Sequence, residues 1–278
     1  MQAALLPDRG VVKVIGDDAR RFLNGIATND IGKVSPREAR FAALLTPQGK
    51  ILFDFFVAEA RDGLRIDCQA AAREALLKRL TMYRLRAKIE IAPRDDLCVL
   101  AAWDGPEDLP GLVFDDSRLP ALGRRAIAEK SMATTGFSPA ADYLAHRLSL
   151  GVPQGADFGT DQIFALDAGL EELNGVSFTK GCYIGQELTA RMKHRGTARK
   201  RVLVVESTDA APLPEADTPL LAGGREVGTL VSVYGARGFA LVRLDRLAEA
   251  GGAAVETEGR VVRIIKPDWL SQELAQRP

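Results

Sequence analysis

Residues 178–201 read FTKGCYIGQELTARMKHRGTARKR, and the middle of this stretch decides how the chain is understood. Cys182 stands between Gly181 and Gly185, with Lys180 two residues upstream. The glycines free the backbone to turn sharply and to lie close to a ligand. From about Ile184 the pattern is helical: Ile184, Leu188 and Met192 form one apolar stripe, and Glu187 stands four residues before Arg191, the favoured ion-pair order. Cys182 is therefore expected just ahead of a helix, where unpaired N–H groups and the helix dipole favour an anion. Lys180 adds a second positive influence. Such surroundings bring a thiol from about 8.5 to roughly 3.5–7.5. The competing reading is a half-buried cysteine in a glycine turn, with Lys180 in solvent.

Outward from this stretch, the chain has 278 residues, beyond the size at which one core grows comfortably, so two or three lobes are expected. Apolar residues make up 46% and charged residues 27%, an ordinary mix able to bury a core. Lysine plus arginine balances aspartate plus glutamate at 37 each, so only a local patch could attract a polyanion. Cys68, Cys98 and Cys182 share no close spacing, and with only His146 and His194 beside them there is no zinc-ligand set. Sparse free thiols, no signal peptide and no long apolar run predict a soluble cytoplasmic protein with no membrane partner and no stably bound metal.

The segments order themselves as follows. Val11–Ile15 reads as a strand, followed by a helix whose start is loaded by Asp17 and Asp18. RFAALLTPQGKILFDFFVAEARDGLRIDC reads as strand, turn, long strand, turn, strand, with Asp62-Gly63 a hairpin signal. QAAAREALLKRLTMYRL is helical, with Ala72, Leu76, Leu80 and Tyr83 on one stripe, and two further strands follow. This order is an α+β signature, not a doubly wound sheet. Residues 152–178 read as an irregular connector. From Arg199 four short strands separated by Gly, Asp and Pro suggest a small C-terminal β-barrel beginning near residue 197.

Several motifs are excluded. Gly49-Lys50 lacks the rest of a P-loop, and GGREVG at 223–228 reads as a turn. His146 reads as a packed or surface histidine, and Trp103 and Trp269 as core or lobe-contact residues. From Arg191 to Arg201 six residues are Lys or Arg, but no aromatics are interleaved for base stacking, which argues against nucleic acid. The run reads either as cations near a helix end or as a cluster steering an acidic tail or partner toward Cys182.

The octapeptide Lys180-Gly181-Cys182-Tyr183-Ile184-Gly185-Gln186-Glu187 resembles the signature of the YgfZ-type folate-binding proteins. These are relatives of the glycine-cleavage T-protein that assist iron–sulfur cluster proteins. The resemblance continues through Arg191 and Arg195-Gly196, GDDARRFLNGIATNDI, LLTPQGKILFDFFV and GTLVSVYGARGFALVRLD, and its spacing is closer to the mitochondrial-type iron–sulfur assembly relatives. It implies a three-lobed T-protein-like ring: residues 1–196 as a folate-binding region of two α+β lobes, the first open to being discontinuous, and residues 197–278 as the barrel. A tetrahydrofolate or related reduced folate is implied in the central opening.

By the same resemblance, Asp54 falls where T-proteins place a carboxylate that polarises the folate. Strand alternation turns Asp54 away from Phe53 and Phe55, toward a site or toward solvent on a half-exposed strand. Ser149, in Arg147-Leu148-Ser149-Leu150-Gly151, replaces the acid by which T-proteins hold the pterin, which weakens the case for aminomethyl transfer. The implied function is an accessory factor for assembly or repair of [4Fe–4S] proteins, not a conventional turnover enzyme. In it Cys182 is the reactive thiol and Lys180 its electrostatic activator. Gly181, Tyr183, Gly185, Gln186, Glu187, Arg191 and Asp54 contact or frame the folate, and the partners are iron–sulfur client or assembly proteins. A tetrahydrofolate-dependent one-carbon transferase and a folate-responsive scaffold are the alternatives.

Overall fold

The computed structural model describes residues 2–105, 108–133, 136–196 and 199–270. Strand β1 (Gln2–Leu5) opens the chain, followed by β2 (Arg9–Ile15) and helix α1 (Ala19–Ile26). Then come β3 (Arg40–Leu45), β4 (Ile51–Ala60), β5 (Gly63–Gln69), α2 (Arg73–Arg84) and β6 (Glu90–Pro93). These strands, β1 excepted, form an antiparallel sheet in the order β3-β4-β5-β2-β6. One face of it packs on α1 and α2 through Leu23, Ile26, Leu76 and Leu80. The apolar spacing along both helices is what seats them there.

A second antiparallel sheet has the order β1-β7-β9-β8, built from β7 (Leu97–Trp103), β8 (Leu112–Asp115) and β9 (Arg124–Glu129). Helix α3 (Ala140–Ser149) covers it by way of Tyr143, which lies against Trp103. Residues 2–5 were not expected as a strand. Four residues are too short for a period-2 signal, and it is pairing with Leu100–Trp103 that makes them one.

After a long connector and helix α4 (Gln186–Arg195), a closed six-stranded barrel runs in the order β10-β13-β12-β11-β14-β15. Its members are β10 (Lys200–Ser207), β11 (Pro219–Ala222), β12 (Arg225–Tyr234), β13 (Arg237–Arg243), β14 (Val255–Thr257) and β15 (Arg260–Ile265), with α5 (Leu244–Glu249) between β13 and β14. The four expected strands are present. The two additional ones, β11 and β14, are short and close the barrel by pairing with each other and with β12 and β15. The architecture is α+β with a small C-terminal barrel.

Buried charges join the parts. Asp67 on β5 accepts from Arg9 at 2.7 Å and from Arg125 of the second sheet at 2.6 Å, all without exposed surface beyond 1% on their side chains. Arg118 pairs with Asp116 at 2.7 Å and, with Arg125, donates to the Tyr143 hydroxyl. Asp157 takes Arg147 at 2.7 Å and, from the barrel strand β12, the hydroxyls of Ser232 and Tyr234 at 2.6 Å each.

Candidate functional site

Lys180 is the anchor of the cysteine loop. Its Nζ donates to the carbonyls of Asn24 at 2.5 Å, Ala27 at 2.7 Å and Asn29 at 2.8 Å. The last carbonyls of a helix have no intrahelical donor, so the ammonium caps the end of α1. Burial lowers its pKa to about 8, partly offset by Asp30. All three protons of Lys180 serve main-chain oxygens, so what it offers Cys182 is its charge and not a hydrogen bond.

The second anchor is Gly185, which adopts φ 82° and precedes α4. A Cβ there would lie 2.6 Å from the Thr46 carbonyl and 3.1 Å from Cα of Gly49 in the β3–β4 turn. Only glycine fits both the conformation and the gap. The left-handed residue also delays the helix to Gln186, two positions later than the sequence pattern indicated. Cys182 consequently stands four positions ahead of the first helical residue, outside the turn over which the dipole acts.

Between these anchors Cys182 is exposed, whereas Cys68 and Cys98 are buried. Tyr183 is buried and its phenol is pushed up to about 12 by burial. Gln186 folds back so that its Oε1 accepts from the Tyr183 amide at 3.3 Å. Glu187 points into solvent and pairs with Arg191 at 2.8 Å. Around Gly181 no atom of the described residues comes within 4 Å of an added Cβ, so none of them demands a glycine there.

Asp54 lies elsewhere. It is 5% exposed, not solvent-facing, and its Oδ1 accepts from the Gly155 amide at 3.0 Å. Its Oδ2 is buried without a partner among the described residues. It lines a cavity of about 270 Å³ with Phe53, Cys68, Gln69, Gly155 and Thr160. Gln69, Gly155 and Ala156 also line a neighbouring cavity of about 430 Å³, closed by Arg9, Tyr143, Arg147 and Tyr234. All three sheets or their helices thus contribute walls. Neither cavity is lined by any residue from Lys180 to Arg191, so the structure does not bring Cys182 and Asp54 together.

Gln69, Gly155, Arg147 and Tyr234 were missed by sequence reasoning. The available signal was VPQGADFG, where Gln154 and Asp157 cap a 3-10 turn, Gly155–Phe158, reciprocally. Ser149 is exposed, bonds back to the His146 carbonyl at 2.7 Å and lines neither cavity. His146 stacks on Trp103, and Trp269 donates to the Leu150 carbonyl at 2.9 Å.

The basic run is not one surface. Lys193 pairs with Glu171, Arg201 is buried within 4.0 Å of Asp167, and Arg199 and Lys200 are exposed. The Arg195 side chain, Thr197 and Ala198 lie outside the described residues. Among the described residues no three His, Cys, Asp or Glu side chains gather as metal ligands. Among the described residues no helix is long and apolar enough to cross a membrane.

The relatives bear on this arrangement. Residues 199–272 match the CAF17 C-terminal beta-barrel domain family. The iron–sulfur cluster assembly factor IBA57, mitochondrial, of Homo sapiens is 31% identical over 303 residues, covering 95% of this chain and 84% of that protein. The chain belongs to the IBA57 family. The Mus musculus IBA57 protein is likewise 31% identical, over 302 residues, with 95% and 84% coverage. The crystal structure of the glycine cleavage system aminomethyltransferase T from Bartonella henselae superposes with TM-score 0.75 at 17% identity, over 99% of this chain and 87% of that one. At that identity the likeness is one of fold.

Both IBA57 relatives are named as mitochondrial, which overturns the cytoplasmic expectation. Free thiols indicate a reducing compartment, and that criterion does not separate one reducing compartment from another.

Proposed function

We propose that the chain is an accessory factor for the assembly or repair of iron–sulfur proteins, with Cys182 as its working thiol and a reduced folate as its ligand. The observation that carries this reading is the presentation of Cys182: exposed, on a loop pinned by Lys180 on one side and Gly185 on the other. A rigid, accessible thiol is suited to ligation, because a metal ion deprotonates a coordinating thiol outright and needs no pre-formed thiolate. A cluster takes about four protein ligands, so with one thiol from this loop the others come from partner proteins or small thiols. The cluster is therefore cargo, and its partners are the iron–sulfur client or assembly proteins that the IBA57 name implies.

The folate part rests on the paired cavities at Asp54. Their walls are mostly apolar with a few converging polar groups, and the orphan Oδ2 is an acceptor in search of a donor such as a pterin N–H. Asp54, Gln69 and the Gly155 segment would hold the ring. That same carboxylate favours the second reading, a tetrahydrofolate-dependent one-carbon transferase. The separation of Cys182 from the cavity supports the first, since a transferase has no use for the thiol loop.

The deciding measurement is [4Fe–4S] enzyme activity in cells lacking the protein, complemented at equal level with wild type or Cys182→Ala. Rescue by wild type alone supports the assembly role of the thiol. Rescue by both removes the thiol from the mechanism, and rescue by neither removes the iron–sulfur reading.

A further inference from the structure

The end of α2 carries a surface that the thiol loop and the folate cavity do not use. From Lys78 to Lys88 the sequence KRLTMYRLRAK has five cations and no acid, in a chain whose total charge is balanced. Lys78, Arg84, Arg86 and Lys88 are exposed and make no ion pair among the described residues, while Arg79 lies over the Tyr83 ring. Two apolar side chains stand out among them, Met82 at 58% exposed and Leu85 at 87%.

Leu85 is doubly unfavourable in the free chain. It has φ 45° and ψ −110°, a region that side-chain-bearing residues avoid, and it leaves a leucine in water. Glycine would suit that backbone, because the pair of angles mirrors an ordinary extended conformation. At 87% exposed, Leu85 has little contact among the described residues to repay either the strain or the exposure. Burial against a second molecule would repay the exposure.

We infer that this surface docks an acidic protein that presents an apolar pocket for Leu85 and Met82. Arginine and methionine are enriched at protein interfaces, and a ring of unpaired cations steers an acidic partner. A bilayer is the poorer fit, since two apolar side chains supply less burial than the single acyl chain that already binds membranes only marginally. Position ties the surface to the thiol. The Lys88 amide donates to Asp18 Oδ2 at the start of α1 at 2.9 Å, and Lys180 caps the end of that helix. Helix α1 has eight residues, hence is about 12 Å long, and α1, α2 and Ile184 share one face of the sheet. A partner seated on the α2 end therefore reaches along α1 to Cys182. The identity of that partner as a cluster-carrying protein rests on the proposed assembly function.

The test uses the full chain in cells lacking it. Arg84→Glu/Arg86→Glu should lower [4Fe–4S] enzyme rescue at least tenfold without lowering the melting temperature. Leu85→Gly should raise the melting temperature by about 2–4 °C yet also reduce rescue, a combination that a purely structural role cannot produce. With p-benzoylphenylalanine in place of Leu85, irradiation should give an adduct with an acidic cluster-carrying protein. That adduct should be lost in the Arg84→Glu/Arg86→Glu background and absent with the probe at exposed Val261 on the barrel. Full rescue by the variants, or no adduct at 85, overturns the inference. So does sedimentation of the wild type with phosphatidylserine vesicles that the charge reversal abolishes, which would make this a membrane face. Should wild type itself fail to rescue, the assembly function falls, and an acidic-protein adduct at 85 would still uphold the surface.

Discussion

Arg125 on β9 and Asp67 on β5 meet at 2.6 Å with no exposed side-chain surface on either, so a buried ion pair joins the second sheet to the first beside the apolar core they share. Arg9 completes the carboxylate from the other side. Burial opposes the charge on Asp67, but Arg125 and Arg9 outweigh it and hold the carboxyl below its usual range. Removing the negative charge strands two buried guanidinium groups. Asp67→Asn should cost about 3–5 kcal/mol, read as a lower denaturation midpoint with m unchanged.

Lys180→Met should loosen the cysteine loop, not merely alter its charge. Three carbonyls at and just beyond the end of α1 would lose this donor, a cost of about 1–3 kcal/mol. Amide exchange should quicken in residues 24–29 and 178–185 and remain unchanged in the barrel. Unchanged protection in both segments would mean that the ammonium is not the anchor.

The two glycines around Cys182 should separate structure from function. Gly185→Ala meets the Thr46 carbonyl at 2.6 Å in a left-handed conformation and should destabilise by about 1–3 kcal/mol. Gly181→Ala meets nothing within 4 Å and should leave stability unchanged. If Gly181→Ala nonetheless lowers [4Fe–4S] enzyme rescue, that face of the loop is in contact with a partner or its cluster. Full rescue would free Gly181 of any role.

Asp54→Asn keeps an oxygen for the Gly155 amide and should not alter the melting temperature. It should weaken 5-formyltetrahydrofolate binding about tenfold, measured by fluorescence titration, because a charged acceptor becomes a neutral one. Equal affinities would place the folate elsewhere or remove it.

Asp167 gives the pH dependence a definite sign. It is 5% exposed, and burial raises its pKa to about 6 against the pull of Arg201 and Lys200. The native state therefore holds this proton up to about pH 6, whereas the unfolded chain releases it near the ordinary value of 3.8. The contribution of Asp167 is greatest below the lower value and is lost as pH rises through the upper one. Asp167→Asn should match wild type at pH 4 and exceed it by on the order of 1–3 kcal/mol above pH 6, in urea titrations at both values.

Local chemistry was sufficient for much of this molecule. The β3–β4–β5 hairpins, α2 and four barrel strands follow from alternation, turn residues and the stripe of Leu76 and Leu80, because those signals lie within one segment. The Glu187–Arg191 pair is likewise a matter of helical spacing. The octapeptide pointed to the family because its string of residues is long and specific.

Long-range contact decided the rest. β1 is a strand only because Leu100–Trp103 pairs with it from far along the chain, and β11 and β14, each in a tight hairpin with its neighbour, close the barrel by pairing with each other, which nothing in three or four residues encodes. Lys180 looked like a companion of Cys182, two positions away, but its ammonium binds carbonyls more than 150 positions back along the chain. Asp54 was legible as an acid on an alternating strand; its burial, and the orphan oxygen that turns it toward a cavity, depend on the Gly155 segment 101 positions later. Sequence determined which groups are present and on which local element, because propensity and patterning act over a few residues. Tertiary structure decided which of those groups face one another, because burial and hydrogen bonding are settled only when distant segments close over them.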